Sequence, residues 1–155
     1  MAGRTYRYFA GTPLYPFGFG LSYTTFSYTN AHVDHDQISA SDKVNVSVDV
    51  KNAGATAGDE VVELYVTRPD VAGAPIRALA GFTRVHLASG EQRTVSIPLC
   101  DRELSIVDEN GKRRIPVGTI EVWIGGGQPV AGVGQTPASG ARTQFRVTSE
   151  AMLPD

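Results

Sequence analysis

Sixteen carboxylates are spread through the 155 residues. The first chemistry they could supply is paired acid–base work. In such hydrolases two carboxyl groups sit about 5 Å apart for retention, or somewhat further for inversion. Asp59 and Glu60 are adjacent, and adjacent residues of a strand point to opposite faces. Asp108 and Glu109 fall in a turn. Solvated surface carboxylates are the simpler reading of both pairs. His32 and His35 lie three apart beside Asp34 and Asp36, but a metal site needs a third ligand and a rigid frame. The two histidines would point to opposite sides of a strand, and Asp34 to Ser41 reads as a polar loop. His86 alternates outward from Val85 and Leu87. Ser22 and Ser105 have no histidine at a spacing that suggests a triad. Cys100, the only cysteine, excludes an intrachain disulfide and reads as a small buried hydrophobe at a strand end. Gly125-Gly126-Gly127 is followed by no Lys-Ser/Thr, so it is not a phosphate loop. No metal or cofactor is expected.

One residue leaves binding open. Trp123 falls on the face opposite Ile120, Val122 and Ile124. It is either a stacking platform for a sugar ring or a packing residue under the Gly125–Gly140 loop or a partner, and packing is the simpler reading.

The densest signal is not catalytic. Nine of the thirteen aromatic residues fall between Tyr6 and Tyr28. Residues 1–20 hold Gly3, Gly11, Pro13, Pro16, Gly18 and Gly20, a density of breakers that excludes a helix. Phe17 and Phe19 are each followed by glycine, which lets the backbone turn sharply and lie close against another surface. A contiguous apolar patch marks an interaction site. Residues 1–22 therefore read as an extended docking arm, with Tyr8, Phe9, Tyr15, Phe17, Gly18, Phe19, Gly20 and Leu21 as its contact residues. Its partner is expected to lie outside this chain, or to be a second copy of it.

After the arm the chain reads as strands. The first runs from Leu21, with Phe26 and Tyr28 two apart, then Ala31 and Val33 two apart with a slip of parity. A bulge or break near Asn30 accounts for the slip. Val44, Val46, Val48 and Val50 alternate with polar residues, as on a half-buried antiparallel strand. Further strands are expected over Val61 to Thr67, Leu79 to Leu87, Arg93 to Leu99, Gly118 to Ile124 and around Thr143, Phe145 and Val147. Pro98 has no N–H and places its strand at an edge. Asp101 to Leu104 suggests a helical turn, and Asn110-Gly111 a hairpin. Seven or eight short strands with frequent turns predict an all-β fold, a two-sheet antiparallel sandwich of the immunoglobulin or fibronectin type III kind. It would span residues 23–150, with 151–155 as a tail.

Composition bounds the partners. Charged residues are 19%, hydrophobic residues 41% and net charge −2. A nucleic-acid partner needs a basic face, and none is evident. No apolar run is long enough to cross a membrane.

The arm also resembles a known segment. Tyr6-Arg7-Tyr8-Phe9 and Pro13 to Phe26, with Tyr15-Pro16-Phe17-Gly18-Phe19-Gly20-Leu21-Ser22-Tyr23-Thr24-Thr25-Phe26 at their centre, are similar to the segment joining the catalytic core of glycoside hydrolase family 3 proteins to their C-terminal fibronectin type III-like domain. Ala57 to Val66, Leu79 to Val85, Gly90-Glu91, Leu104 to Asp108 and Ile124 to Pro129 resemble that domain's blocks, in the same order. The resemblance implies a β-glucosidase-like or β-xylosidase-like parent, retaining and periplasmic or secreted. Its nucleophile and acid/base would lie upstream, so this chain would be an accessory module packed on the catalytic domains of the same polypeptide. The alternatives are a carbohydrate-binding module with weak affinity for polysaccharide and a free-standing structural or adhesive module.

Overall fold

The computed structural model describes residues 3–154; residues 1–2 of the arm and Asp155 of the tail lie outside the described residues. Seven long strands carry the fold: β1 (Phe26–Val33), β3 (Val44–Asn52), β4 (Gly58–Thr67), β5 (Ala78–Leu87), β6 (Gln92–Leu99), β9 (Gly118–Gly125) and β10 (Gly140–Val147). Four short ones accompany them: β2 (Gln37–Ile38), β7 (Ile106–Val107), β8 (Arg113–Ile115) and β11 (Ala151–Met152). One sheet has the order β1-β3-β6 and faces a second of order β2-β10-β9-β4-β5. A small third sheet, β11-β8-β7, closes one end. The connections β3 to β4 and β6 to β9 pass between the large sheets, so neither strand set is a simple meander.

The core follows from the alternation. Val44, Val46, Val48 and Val50 face Val62, Leu64, Val66, Ile120, Val122 and Ile124 in one continuous cluster, all of them buried. Gly81, on β5, packs closely on the opposite sheet: a Cβ there would meet the Ile97 methyl at 2.7 Å. β1 slips register between Thr29 and His32, and Asn30 takes a left-handed φ of 55°. That slip explains the change of parity, because one extra residue turns the following side chains over. β6 is an outer strand, which spares Pro98 a ladder bond on its free side.

Three local expectations are corrected. The polar segment Asp34 to Ser41 is not all loop: Ile38 and Ala40 are buried and β2 runs parallel to β10. The arm does hold one helical turn, α1 (Thr5–Tyr8), because its four residues precede the breakers from Gly11 onward. The tail is tied down, since β11 pairs with β8. The second helical turn, α2 (Asp101–Leu104), stands where the sequence suggested it. In the hairpin between β7 and β8 only Gly111 has positive φ.

Candidate functional site

β4 sends Val62, Leu64 and Val66 into the core and turns Glu63 and Tyr65 to the outer face of the five-stranded sheet. Register places Phe82 opposite Glu63, Trp123 opposite Tyr65, and Arg142 opposite Trp123. A bare face with so many rings would be unusual. The arm lies on it as a strap.

Tyr6 begins the contact. Its ring stacks on Phe17 at 4.2 Å between centroids and meets Tyr65 edge-on at 6.2 Å. The Tyr6 hydroxyl accepts the Leu79 N–H at 3.1 Å, and the Arg7 carbonyl accepts the Ile76 N–H at 2.9 Å. Further along, the Pro13 carbonyl accepts the Val133 N–H at 3.0 Å. The strap thus joins the start of β5 to the loop between β9 and β10. Tyr65 is left 1% exposed beneath it.

Gly18 sits over Glu63. Its φ of +78° favours glycine, and a Cβ built there would fall 2.9 Å from the Glu63 carboxyl carbon, so the end of that side chain would have to swing aside. Gly20 has open space around it. Glu63 accepts a hydrogen bond from the Tyr65 hydroxyl at 2.5 Å, and Glu60 accepts one from the Tyr28 hydroxyl at 2.5 Å. Tyr28 belongs to the opposite sheet, so the Glu60 bond links the two layers. Burial pushes Glu60 up, against the pull of the Tyr28 hydrogen bond, and the charge of Glu63 adds to the rise. Burial also pushes Glu63 up, partly offset by Tyr65. Both tyrosines are raised, chiefly by burial and secondly through their carboxylate neighbours. This carboxyl pair was missed in the sequence because its members stand three positions apart, which on a strand puts them on opposite faces.

The remaining sequence candidates occupy separate places. Asp59 is held below the usual carboxylate range, first by Arg84 and then by His86, on the exposed face. Asp34 accepts the Asn45 N–H at 2.9 Å and its side-chain amide at 2.7 Å, with His35 beside it at 3.2 Å. Ser105 Oγ donates to the Arg102 carbonyl, and Ser22 Oγ accepts the Thr24 N–H. Trp123 donates its indole N–H to the Gly127 carbonyl at 2.8 Å, and the Arg142 guanidinium lies 5.1 Å from the ring centre. The indole is therefore engaged with its own sheet and loop.

The other face of the strap is bare. Phe9, Phe17 and Phe19 are partly exposed, Tyr15 largely so, and Leu21 is 92% exposed. Leu14 and Tyr23 join this surface. Tyr8, by contrast, is half-buried, and Tyr15 packs on Phe19 at 5.3 Å. At the foot of the strap Thr24 donates from Oγ1 to Asn52 Oδ1 at 2.6 Å. Asn52 is wholly buried. Its Nδ2 donates to the carbonyls of Thr56 and Leu87, at 2.8 and 3.1 Å, and its Oδ1 also accepts the Gly54 N–H at 3.0 Å.

Comparison with known proteins agrees with this architecture. Residues 60–128 match the fibronectin type III-like domain family. The chain is a fibronectin type III-like domain of the glycoside hydrolase family 3 type. It is similar to a β-xylosidase of Formosa agariphila, 45% identical over 122 residues, covering 77% of this chain and 17% of that protein. Among solved structures it resembles β-glucosidase 3B of Thermotoga neapolitana, with a TM-score of 0.80 at 28% identity, covering 97% of this chain and 19% of that one. A β-glucosidase of Erythrobacter marinus gives a TM-score of 0.77 at 33% identity, over 94% of this chain and 18% of that one. The chain spans under a fifth of the length of these relatives. In them the domain belongs to a longer single polypeptide.

Proposed function

We propose that the chain is a non-catalytic accessory domain that packs on the catalytic domains of a family 3 β-glycosidase and fixes their placement. The parent, on this reading, is a retaining β-glucosidase or β-xylosidase whose reacting carboxylates lie elsewhere in the polypeptide. The observation that carries the reading is the two-sidedness of the strap. Tyr6 and Phe17 hold it to its own sheet, while Leu14, Tyr15, Phe19, Leu21 and Tyr23 leave apolar surface exposed, Tyr15 and Phe19 packing only on each other among the described rings. The similarity to domains built into longer β-xylosidase and β-glucosidase chains supplies the partner. A polysaccharide-binding role finds less support, since the Trp123 ring is occupied by Arg142 and its N–H by Gly127.

The test separates the two faces of the strap. Leu21→Ala and Tyr15→Ala remove exposed side chains and leave the Tyr6–Phe17–Tyr65 stack intact. Burial of one large apolar side chain is worth about 1.5–3 kcal/mol. Each substitution should therefore weaken binding to separately expressed catalytic domains by roughly tenfold or more, with the domain's own unfolding midpoint unmoved. Calorimetric titration reads the affinity. Unchanged binding in the double variant would refute the docking role.

A further inference from the structure

A cavity of about 850 Å³ opens among the loop that follows β4, the α2 turn and the β7–β8 hairpin. It is away from the exposed row of the strap. Arg7, Arg68, Arg102, Arg113 and Arg114 line it, and they outnumber the acids there. Two of its three acids are held by backbone N–H groups, and the third, Glu109, is exposed on the hairpin. Glu103 Oε2 accepts the Cys100 N–H at 3.1 Å, and Asp108 Oδ1 accepts the Asn110 and Lys112 N–H groups, each at 2.9 Å. Arg114 is paired with Glu150 at 3.0 Å, and Arg113 Nη1 donates to Ser105 Oγ at 2.9 Å.

Arg68 is different. It continues the core-facing side of β4 and is 5% exposed. Its Nη2 donates to the Glu103 carbonyl at 2.9 Å. Its Nε–H is sealed from solvent and has no partner. Among the described residues no carboxylate lies within 4.0 Å of its guanidinium. Burial pulls Arg68 down to about 10, with no acid acting in the other direction, so it stays charged at neutral pH. Buried charges are ordinarily paired, and an orphaned buried donor calls for an explanation. Arg102, exposed on the α2 turn, likewise has no carboxylate within 4.0 Å among the described residues.

We propose that this cavity is a carboxylate-binding site, with Arg68 as its buried anchor and Arg102 as its second cation. A guanidinium offers parallel N–H donors that match the two oxygens of a carboxylate, and the fit is stronger where water is excluded. The volume takes more than a lone carboxyl group. The carboxylate therefore comes either on a sugar acid or on an acidic side chain presented by another part of a longer polypeptide. Arg7 and Tyr8 of the strap also line the cavity, but neither Arg68 nor Arg102 belongs to the strap, so a test on those two can fail or succeed apart from the docking reading.

The experiment is a titration of the ¹⁵N-labelled chain with glucuronate, with acetate and with neutral glucose, at constant ionic strength, following the Arg68 Nε–H resonance. The expected result is a saturable shift with both acids and none with glucose. Arg102→Ala should weaken it about tenfold, the loss of one charge-assisted hydrogen bond, and Arg68→Gln should abolish it. Glucuronate binding tenfold or more tighter than acetate assigns the carboxylate to a sugar acid; equal affinities assign it to an isolated side chain. Absence of a saturable shift with either acid, or an equal response to glucose, overturns the site. Should Arg68→Gln not fold, the exposed Arg102→Ala carries the test, and an unaltered acid affinity in that variant is equally fatal.

Discussion

Replacing Asn52 by alanine should be among the most damaging single changes outside the apolar core. The amide is wholly buried and makes four hydrogen bonds, to Thr24, Gly54, Thr56 and Leu87. They tie together the foot of the strap, the β3–β4 turn and the end of β5. A hydrogen bond of this kind contributes about 0.5–1.5 kcal/mol net, and a buried polar group left without a partner costs about 1–3 kcal/mol. Thr24, Gly54 and Thr56 lie near the surface and can turn to water. Leu87 is fully buried, so its carbonyl loses the amide without replacement. Three ordinary losses and one buried orphan come to roughly 4 kcal/mol. For a chain of this size that lowers the thermal midpoint by roughly 10 °C. Urea denaturation followed by circular dichroism reads the change as a lower midpoint at constant slope. Asn52→Asp keeps the shape but aims a carboxylate oxygen at two carbonyls. Its folded pKa must lie above its unfolded value, so the damage should be full at neutral pH and partly recovered in acid. A loss below about 1 kcal/mol for Asn52→Ala would show that the junction is held by the apolar contacts around it, and the hydrogen-bond reasoning would be wrong.

Two further outcomes follow from the strap and from the two raised carboxyl groups of β4. Glu60 and Glu63 are raised in the folded state, so they bind more protons there than in the unfolded chain. Their contribution to stability is fully present below the unfolded carboxylate value and is lost as pH rises through the raised folded values. Asp34, Asp59, Asp70 and Glu91 are lowered and act in the opposite sense at more acid pH. The unfolding midpoint should thus be higher at mildly acidic than at neutral pH, and Glu60→Gln with Glu63→Gln should flatten that slope; a midpoint that falls steadily from neutral pH downward would contradict it. The strap itself is tested by a pair of alanines. Gly18→Ala, at left-handed φ and against Glu63, should cost about 1–2 kcal/mol and open the strap to limited proteolysis near Tyr6, whereas Gly20→Ala should do neither. Equal cleavage of the two variants would mean that Gly18 is not the close contact.

Much of the sandwich was legible from alternation alone. Val44, Val46, Val48 and Val50 reveal both the strand and its inward face, Pro98 reveals an edge, and the slip of parity before Ala31 reveals the bulge at Asn30. What escaped was whatever depends on contacts distant in sequence. Ile38 is one apolar residue in a polar stretch, and only its parallel pairing with β10 makes it core. Asn52 sits in the inward register of the four valines, which is the one local sign that its amide is buried. The Glu60–Glu63 relation has no sequence periodicity: Glu60 reaches between the layers to Tyr28 while Glu63 stands on the outer face. The docking residues read in the arm divide in the same way. Gly18 and Phe17 lie on the chain's own sheet, whereas Tyr15, Phe19 and Leu21 do not. A clue was present in Tyr65, a large ring pointing outward from a strand whose other face carries Val62, Leu64 and Val66. Such a ring needs a cover, and the cover lies some sixty residues earlier in the chain.

That division bears on how an accessory domain could hold a neighbour firmly with so small a surface. A free linker loses about 1–2 kcal/mol of backbone entropy for each residue it orders on contact, which would consume most of what a few exposed rings return. The strap is ordered beforehand. Arg7 and Pro13 lend their carbonyls, Tyr6 its hydroxyl and Thr24 its side chain to the body of the domain, while the Phe17 ring is stacked. The side chains of Leu14, Tyr15, Phe19, Leu21 and Tyr23 are thereby presented on a backbone whose ordering cost is already met by folding. Docking strength on this account should follow the integrity of the buried anchors as closely as the chemistry of the exposed row. On this proposal, loosening Tyr6 would weaken docking even though its ring is stacked on the domain's own Phe17 and Tyr65.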